Sequence, residues 1–353
     1  MTPIHYPFED NMPLPGQVQA VADGVFWLRM KLPFALNHIN LWLLRDCLNG
    51  VEGWTVVDCG ITSQETKDAW EQIFANHLQG LPIIRVLVTH MHPDHVGLAH
   101  WICERYKAPL WMSMTDFLMA RWLSSKEGGA AIGSVSGGGG SADHFARHGL
   151  TNEEDLAKVR ARSDYYSNLV PAVPQRFHRI QDQDLITIGN RTWRAISGFG
   201  HSPEHMSLVC EDSKIMITGD MLLPRISTNV SVHDVEPDAD PLGLFLDSLK
   251  KYLPLDPATL LLPSHGKPFQ GMHFRIDELV KHHDDRLAET FNACEKPATA
   301  KEIIPILFKR ELDIHQLTFA MGETIAHLNY LMRRGKLNRI SDSEGIWRFS
   351  QKV

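Results

Sequence analysis

The chain has 353 residues, 43% of them hydrophobic and 22% charged, with a formal net charge of −7. That length allows one large domain or two, with the composition of an ordinary soluble globular protein. No apolar run approaches the ~18–20 residues that span a bilayer, and the acidic balance argues against a general nucleic-acid binder. The start, Met1 to Pro7, has neither the basic segment nor the apolar core of a secretory signal. Five cysteines, Cys47, Cys59, Cys103, Cys210 and Cys294, are odd in number and show no C-x-x-C spacing. Reduced, packed thiols in a cytoplasmic protein are the expectation.

Strand patterns open the chain at residues 24–30, 39–44 and 54–58, with turn residues between them, which predicts a meander. A helix is predicted from about Thr62 to Leu78, capped by Thr62 or Ser63 and stopped by Gly80. The apolar run Ile83 to Val88 reads as a buried strand and delivers Thr89-His90-Met91-His92-Pro93-Asp94-His95. A strand cannot aim three imidazoles and a carboxylate to one side, so this run is expected to curl as a tight loop. Imidazole nitrogen and carboxylate oxygen are what a borderline-soft divalent ion such as zinc accepts. The bland alternative is a loop of solvated histidines. A helix from about Val96 to Tyr106 starts at these residues, its first-turn amides beside the carboxylate.

Residues 114–176 are the least explained part. Met114 to Leu123 begins an apolar helix, Gly128 to Gly140 is rich in Gly and Ser, and Thr151-x-x-Glu154 reads as a capping box. The run Gly137 to Gly140 reads as a mobile linker. No Gly-Lys-Ser/Thr follows to make it a phosphate cradle. His144 and His148 are expected at the surface. The segment is expected to be a lid, with an oligomer interface as the alternative.

Strands resume at 177–180, 185–188, 192–196, 207–210 and 214–218, followed by helix 242–253 and strand 259–262. Helix 273–294 leads outward, and His282-His283-Asp284-Asp285 on it reads as a solvated face. Thr299-x-x-Glu302 caps a helix to about Phe308, helix 316–334 stops at Gly335, and two short runs at 337–340 and 345–349 follow. Helices followed by a hairpin resemble a winged helix. From Pro297 onward nine Lys/Arg stand against six Asp/Glu, so this tail carries about +3 and the remainder about −10.

The run His-x-His-x-Asp-His is similar to the signature of the metallo-β-lactamase-fold superfamily, and that family's later elements occur in order. Asp58 and Gly60 form the upstream turn, His201 follows Gly200, Asp220 follows Gly219, and His265 precedes Gly266. The resemblance covers roughly residues 20–290. It implies an α/β fold, an αββα sandwich over 1–295 with 114–176 as a helical, Gly-rich insert. A small winged-helix-like domain over 296–353 would complete it. It also implies two divalent ions per chain, zinc ahead of iron or manganese. His90, His92 and His201 would hold one ion, Asp94, His95 and His265 the other, and Asp220 would bridge. A water shared by such ions becomes a nucleophile at neutral pH. Asp94 is assigned a catalytic part in orienting it. Asp58 is assigned the distal N–H of a ligand imidazole. His205 is expected behind the ligands or at the surface, and Lys267 as a solvated loop residue. No G-x-S-x-G elbow competes for the nucleophile role.

The resemblance implies a hydrolase of a small ester, a thioester of glutathione or coenzyme A type, or a lactone, in the manner of glyoxalase II. The glutathione-binding tail of glyoxalase II itself is not evident. The alternatives are a nuclease or phosphodiesterase on RNA or DNA, an iron-dependent persulfide dioxygenase, and a non-enzymatic DNA binder using Arg333, Arg334, Lys336 and Arg339. His92 argues against the flavodiiron branch, which carries a carboxylate there. The expected partner is a small-molecule substrate. A membrane partner is not expected, nucleic acid is less favoured, and a homo-oligomer is left open.

Overall fold

The computed structural model describes residues 3–125 and 138–352. Compactness divides the chain into two units, the first comprising Met1–Ser124, Asn168–Thr228 and Ser248–Ile276. It contains a sheet of seven strands in spatial order β1 (Gln19–Ala22), β2 (Val25–Lys31), β3 (His38–Leu48), β4 (Val51–Val57), β5 (Ile83–Leu87), β6 (Leu110–Met112) and β7 (Phe177–Arg179). The first four pair antiparallel, the meander the turn residues predict, and β5 to β7 add in parallel. Parallel neighbours need crossovers. These are α1 (Gln64–Asn76) between β4 and β5, and α2 (Pro93–Val96) with α3 (Ala99–Tyr106) between β5 and β6. Ser63 caps α1 by accepting Thr66 N–H at 3.1 Å.

A second sheet runs in the order β12-β11-β10-β9-β8, from β8 (Leu185–Ile188), β9 (Arg191–Gly198), β10 (His205–Cys210), β11 (Ile215–Gly219) and β12 (Leu260–Pro263). Between the sheets lies one apolar layer that includes Trp27, Trp42 and Val57 from the first and Trp193, Leu208 and Ile217 from the second. Each fully buried side chain of this size contributes about 1.5–3 kcal/mol. With helices outside, this is the αββα sandwich that the resemblance implies. Arg85 and Asp46 form an ion pair inside it at 2.9 Å, both almost fully buried. Asp46 also accepts Thr55 Oγ1, Cys47 N and Gly189 N, while Arg85 donates to the Thr187 carbonyl. The pair thereby holds the β8–β9 hairpin against β3.

The predicted helix 96–106 is two helices broken at Gly97 and Leu98. A Cβ at Gly97 would lie 2.5 Å from Pro93 O and 2.7 Å from Gly60 O. Leu98 N–H donates to Gly60 O at 3.1 Å, so the chain is tied to the Asp58–Gly60 turn rather than to a continuing helix.

The second unit takes in the described part of Ser125–Ser167, Asn229–Asp247 and Asp277–Val353. It is therefore larger than the segment 296–353 set out from the sequence. Much of the expected lid belongs to it, whereas α4 (Met114–Ser124) belongs to the first unit. The lid's Gly128 to Gly137 lie outside the described residues. Gly138 precedes α5 (Gly139–Arg147), so two of the four consecutive glycines are helical. The next helix, α6 (Glu153–Arg160), is capped by Asn152, which accepts Asp155 N–H, and not by Thr151.

Helices α7 (Tyr165–Leu169), α8 (Pro241–Lys250) and α9 (Met272–Ala293) precede the C-terminal elements. There, α10 (Ala300–Leu307) opens on the Thr299/Glu302 capping box, and α11 (Ile314–Arg333) opens on a second box, Asp313/Gln316. Strands β13 (Leu337–Ser341) and β14 (Trp347–Gln351) close as an antiparallel hairpin. His144 and His148, expected at the surface, are buried, and the His148 ring stacks on Phe349. His283 is also buried, with its Nδ1 3.4 Å from His327 Nε2, while Asp284 and Asp285 beside it are exposed. Helical periodicity turns His283 inward and its acidic neighbours outward. No helix among the described residues is long and apolar enough to cross a membrane.

Candidate metal centre

The loop after β5 is held from below by the Asp58 turn. Cys59 N–H donates to His95 O at 2.8 Å and Thr62 Oγ1 to Gly97 O at 2.8 Å. Asp58 sits at φ +61°, a left-handed conformation that Asp tolerates better than most residues. Its carboxylate accepts Thr89 N–H at 2.8 Å, Thr89 Oγ1–H at 2.9 Å and His95 Nδ1–H at 2.8 Å. With its proton held on Nδ1, His95 presents Nε2 to the site.

His265 is oriented in the same way from another element. Its Nδ1–H donates to His38 O at 2.8 Å, and Gly266 N–H donates to His38 Nε2 at 2.8 Å. Asn40 completes this support. Its amide N–H groups reach Pro263 O at 2.8 Å and Gly266 O at 3.0 Å, while its oxygen accepts Trp27 Nε1–H. His265 Nε2 then lies 3.4 Å from Asp94 Oδ2 and 3.5 Å from Asp220 Oδ2.

The remaining imidazoles face one another. His90 Nε2 is 2.9 Å from His92 Nδ1 and 3.2 Å from His201 Nε2, and His201 Nε2 is 3.3 Å from Asp220 Oδ2. Asp220 follows Gly219 at the end of β11, where φ is +54°. A Cβ at Gly219 would fall 2.1 Å from His205 Nε2, which accepts Asp220 N–H. His205 is thus buried behind Asp220 and not at the surface.

All seven residues singled out from the sequence converge. They form two groups able to hold a metal ion, His90, His92, His201 and Asp220 in one, Asp94, His95 and His265 in the other. Asp220 lies between them, 3.6 Å from His95 Nε2. The chemistry of this set fits two divalent cations. His95 Nε2 and Asp220 Oδ1 are buried with no hydrogen-bond partner, which is costly in a protein interior unless something else satisfies them. Burial, reinforced by His95, His92 and His201, holds the His90 imidazole well below its ordinary pKa, leaving a lone pair to donate. Burial works against the charge of Asp220, but His265 and His95, when protonated, outweigh it and hold the carboxylate well below its ordinary range.

Sequence reading missed Asp116, on the first turn of α4. It is fully buried and accepts Met91 N–H at 2.8 Å and Glu204 N–H at 2.6 Å. Burial pushes its carboxyl up to about 6 against those two donors. Ser113-x-x-Asp116 has the spacing of a helix-start motif, and that spacing carries no hint of partners 25 and 88 residues away. Lys267 pairs with Asp10 rather than standing solvated. On α4 itself Phe117, Ala120 and Leu123 are buried, and only Met114 and Leu118 remain exposed among its large apolar side chains.

A family model described as the metallo-beta-lactamase superfamily matches residues 36–265, and one described as the metallo-beta-lactamase-like, C-terminal domain matches 287–352. A solved beta-lactamase domain protein from Burkholderia ambifaria is 52% identical, with 99% of this chain and 98% of that one covered and a TM-score of 0.93. The probable metallo-hydrolase YqjP of Bacillus subtilis is 24% identical over 329 residues, 88% of this chain and 92% of its own. An acyl-coenzyme A thioesterase of Bos taurus, MBLAC2, is 23% identical over 215 residues, 58% of this chain and 65% of its own.

Proposed function

For a chain that belongs to the metallo-beta-lactamase superfamily, we propose metal-dependent hydrolysis of a small thioester or ester, with a coenzyme A or glutathione thioester or a lactone as the substrate. The observation that carries this reading is the meeting of five imidazoles and two carboxylates in two groups around Asp220. Two divalent ions bound there would supply an activated water and polarise the substrate carbonyl. Nitrogen-rich ligation suits zinc, with iron and manganese as alternatives.

The chain's own residues do the rest. Asp94 has the more exposed side chain of the two carboxylates in the set, 19% against 9% for Asp220. It is placed to accept a hydrogen bond from an attacking water and to take its proton. Asp58 and the His38 carbonyl hold His95 and His265 with Nε2 forward. The thioester preference leans on the acyl-coenzyme A thioesterase among the relatives. A glyoxalase II-like ancestry and a winged-helix-like character for residues 296–353 are parts of the same reading.

The nuclease alternative is less favoured, because three of the four basic side chains that a nucleic-acid contact would use are already engaged within the second unit. Arg334 and Arg339 are engaged by Asp240 and Asp238, and Arg333 donates to the Asp238 carbonyl. The test is elemental analysis of protein purified without chelator, then a screen over thioesters, lactones and bis(p-nitrophenyl) phosphate. Oxygen uptake with a persulfide should be followed in parallel. About two metals per chain and turnover of a thioester or ester are expected. Metal near zero, turnover of the phosphodiester alone, or oxygen uptake would overturn the proposal.

A further inference from the structure

Asp116 is a buried carboxylate whose charge is met by neutral donors, the backbone N–H groups of Met91 and Glu204 and the Ser202 hydroxyl. A buried charge answered only by neutral donors is an expensive way to fill a space. What a carboxylate offers here is two acceptor oxygens, one for each loop. Oδ1 takes Met91 N–H and Oδ2 takes Glu204 N–H.

The two loops are those that carry the first group of ligands. Met91 stands between His90 and His92, and Glu204 follows His201 by three residues. A second tie runs the same way, since Thr115 Oγ1 donates to Glu204 Oε2 at 2.9 Å. Resting on the metal-centre reading above, we infer that Asp116 is a positioning residue. It sets the separation of the His90/His92 loop from the His201 loop and so tunes the affinity of one metal position selectively. The position made by Asp94, His95 and His265 is supported independently, by Asp58 and by the His38 carbonyl.

An Asn at this position keeps the shape but offers one acceptor and one amide donor. That donor would face a backbone N–H, so one loop loses its anchor. Outer partners of metal ligands govern affinity by about 10–100-fold when removed. The experiment is zinc titration of the full chain against a competing chromophoric chelator, with His201→Ala and Asp94→Ala identifying which binding step belongs to which group. Asp116→Asn is expected to weaken the step lost in His201→Ala by about 10–100-fold and to leave the other unchanged. Leu123→Ala, a buried truncation two turns further along the same helix, is the control. It should lower the melting temperature while leaving both affinities as they were.

Unchanged binding in Asp116→Asn overturns the inference, and so does equal weakening of both steps in proportion to the lost stability. If Asp116→Asn does not fold, Thr115→Val decides. A smaller weakening confined to the same step supports the inference, and wild-type binding overturns it. A wild-type chain that takes up no metal would remove the proposed function and this inference with it. Two ions in the wild type and two unaltered ions in Asp116→Asn would remove this inference alone.

Discussion

Asp58→Asn isolates the tautomer of His95. Asn tolerates the left-handed φ of +61° at this position, and its carbonyl oxygen can still accept Thr89 N–H, now 2.8 Å from Asp58 Oδ1. Its amide group, however, would point an N–H at His95 Nδ1, whose own N–H now donates to the carboxylate at 2.8 Å. The imidazole escapes that conflict by moving its proton to Nε2, which removes the lone pair aimed at the site. One charged hydrogen bond is lost, about 1.5–3 kcal/mol. Metal affinity at the Asp94, His95 and His265 position should fall by about 10–100-fold, or about 1.4–2.8 kcal/mol. Chelator-competition titration should show one weakened step, with the step of the other group unaltered. Circular dichroism should report a folded chain with a lower melting temperature. Two ions bound with wild-type affinity would refute the reasoning, because the carboxylate would then have no hold on the imidazole that matters.

Asp94→Ala should cost at least about 100-fold in kcat on the best substrate found, with little change in melting temperature, since the apolar layer lies elsewhere. Near-wild-type turnover would show that another group manages the proton. Arg85→Met should destabilise the chain by about 3 kcal/mol in urea unfolding, the lower end for breaking a buried pair. Asp46 retains Thr55, Cys47 and Gly189 as donors, and a loss under 1 kcal/mol would contradict its role as a tie between the sheets.

Acid should weaken the second unit. Burial holds His144 and His283 down to about 3 and His148 and His327 down to about 4, so each takes up a proton on unfolding below its ordinary 6.5. Burial raises Asp234 to about 6 and Glu323 to about 7, which acts in the opposite sense because those protons are released on unfolding. Four protons gained against two lost leave stability falling as the pH drops from about 6 to 5. Hydrogen exchange of residues 300–352 across that window would measure it, and a flat profile would count against buried neutral histidines.

The ligand set was legible because His-x-His-x-Asp-His is a compact local motif, and the resemblance it carries then points to His201, Asp220 and His265, each in a short loop at a strand end. His90, His92, Asp94 and His95 follow β5, His201 follows β9, Asp220 follows β11 and His265 follows β12. The apolar runs that mark those strands are also local, and the resemblance to the superfamily is what arranges them into a sandwich. What supports the site was not legible. Asp116, Asn40 and His38 act on partners 25 to 228 residues away. Nothing in their immediate sequence distinguishes them from a helix start or a strand residue. The buried histidines escaped for a related reason. His283 lies beside two exposed aspartates, and only the partner surface formed by α11 reveals which side of the helix is covered. The division of the insert between the two units was not legible, because apolar content alone does not say which neighbour buries a helix.

The order of the ligands along the chain has a consequence for synthesis. A chain emerging from its N-terminus presents residues 90–95 long before the rest. The group of His90, His92, His201 and Asp220 is complete once residue 220 has emerged. The other group waits for His265, which arrives at the end of β12, paired in parallel with β11. Closing the edge of the second sheet and completing the second metal position are therefore one event. A nascent chain stalled or mispaired before β12 keeps six of the seven ligands and lacks the fifth imidazole. Binding at a metal concentration a thousandfold above Kd adds about 4 kcal/mol to whatever state can bind. Metal uptake thus favours chains whose sandwich is finished and leaves unfinished ones exposed to turnover.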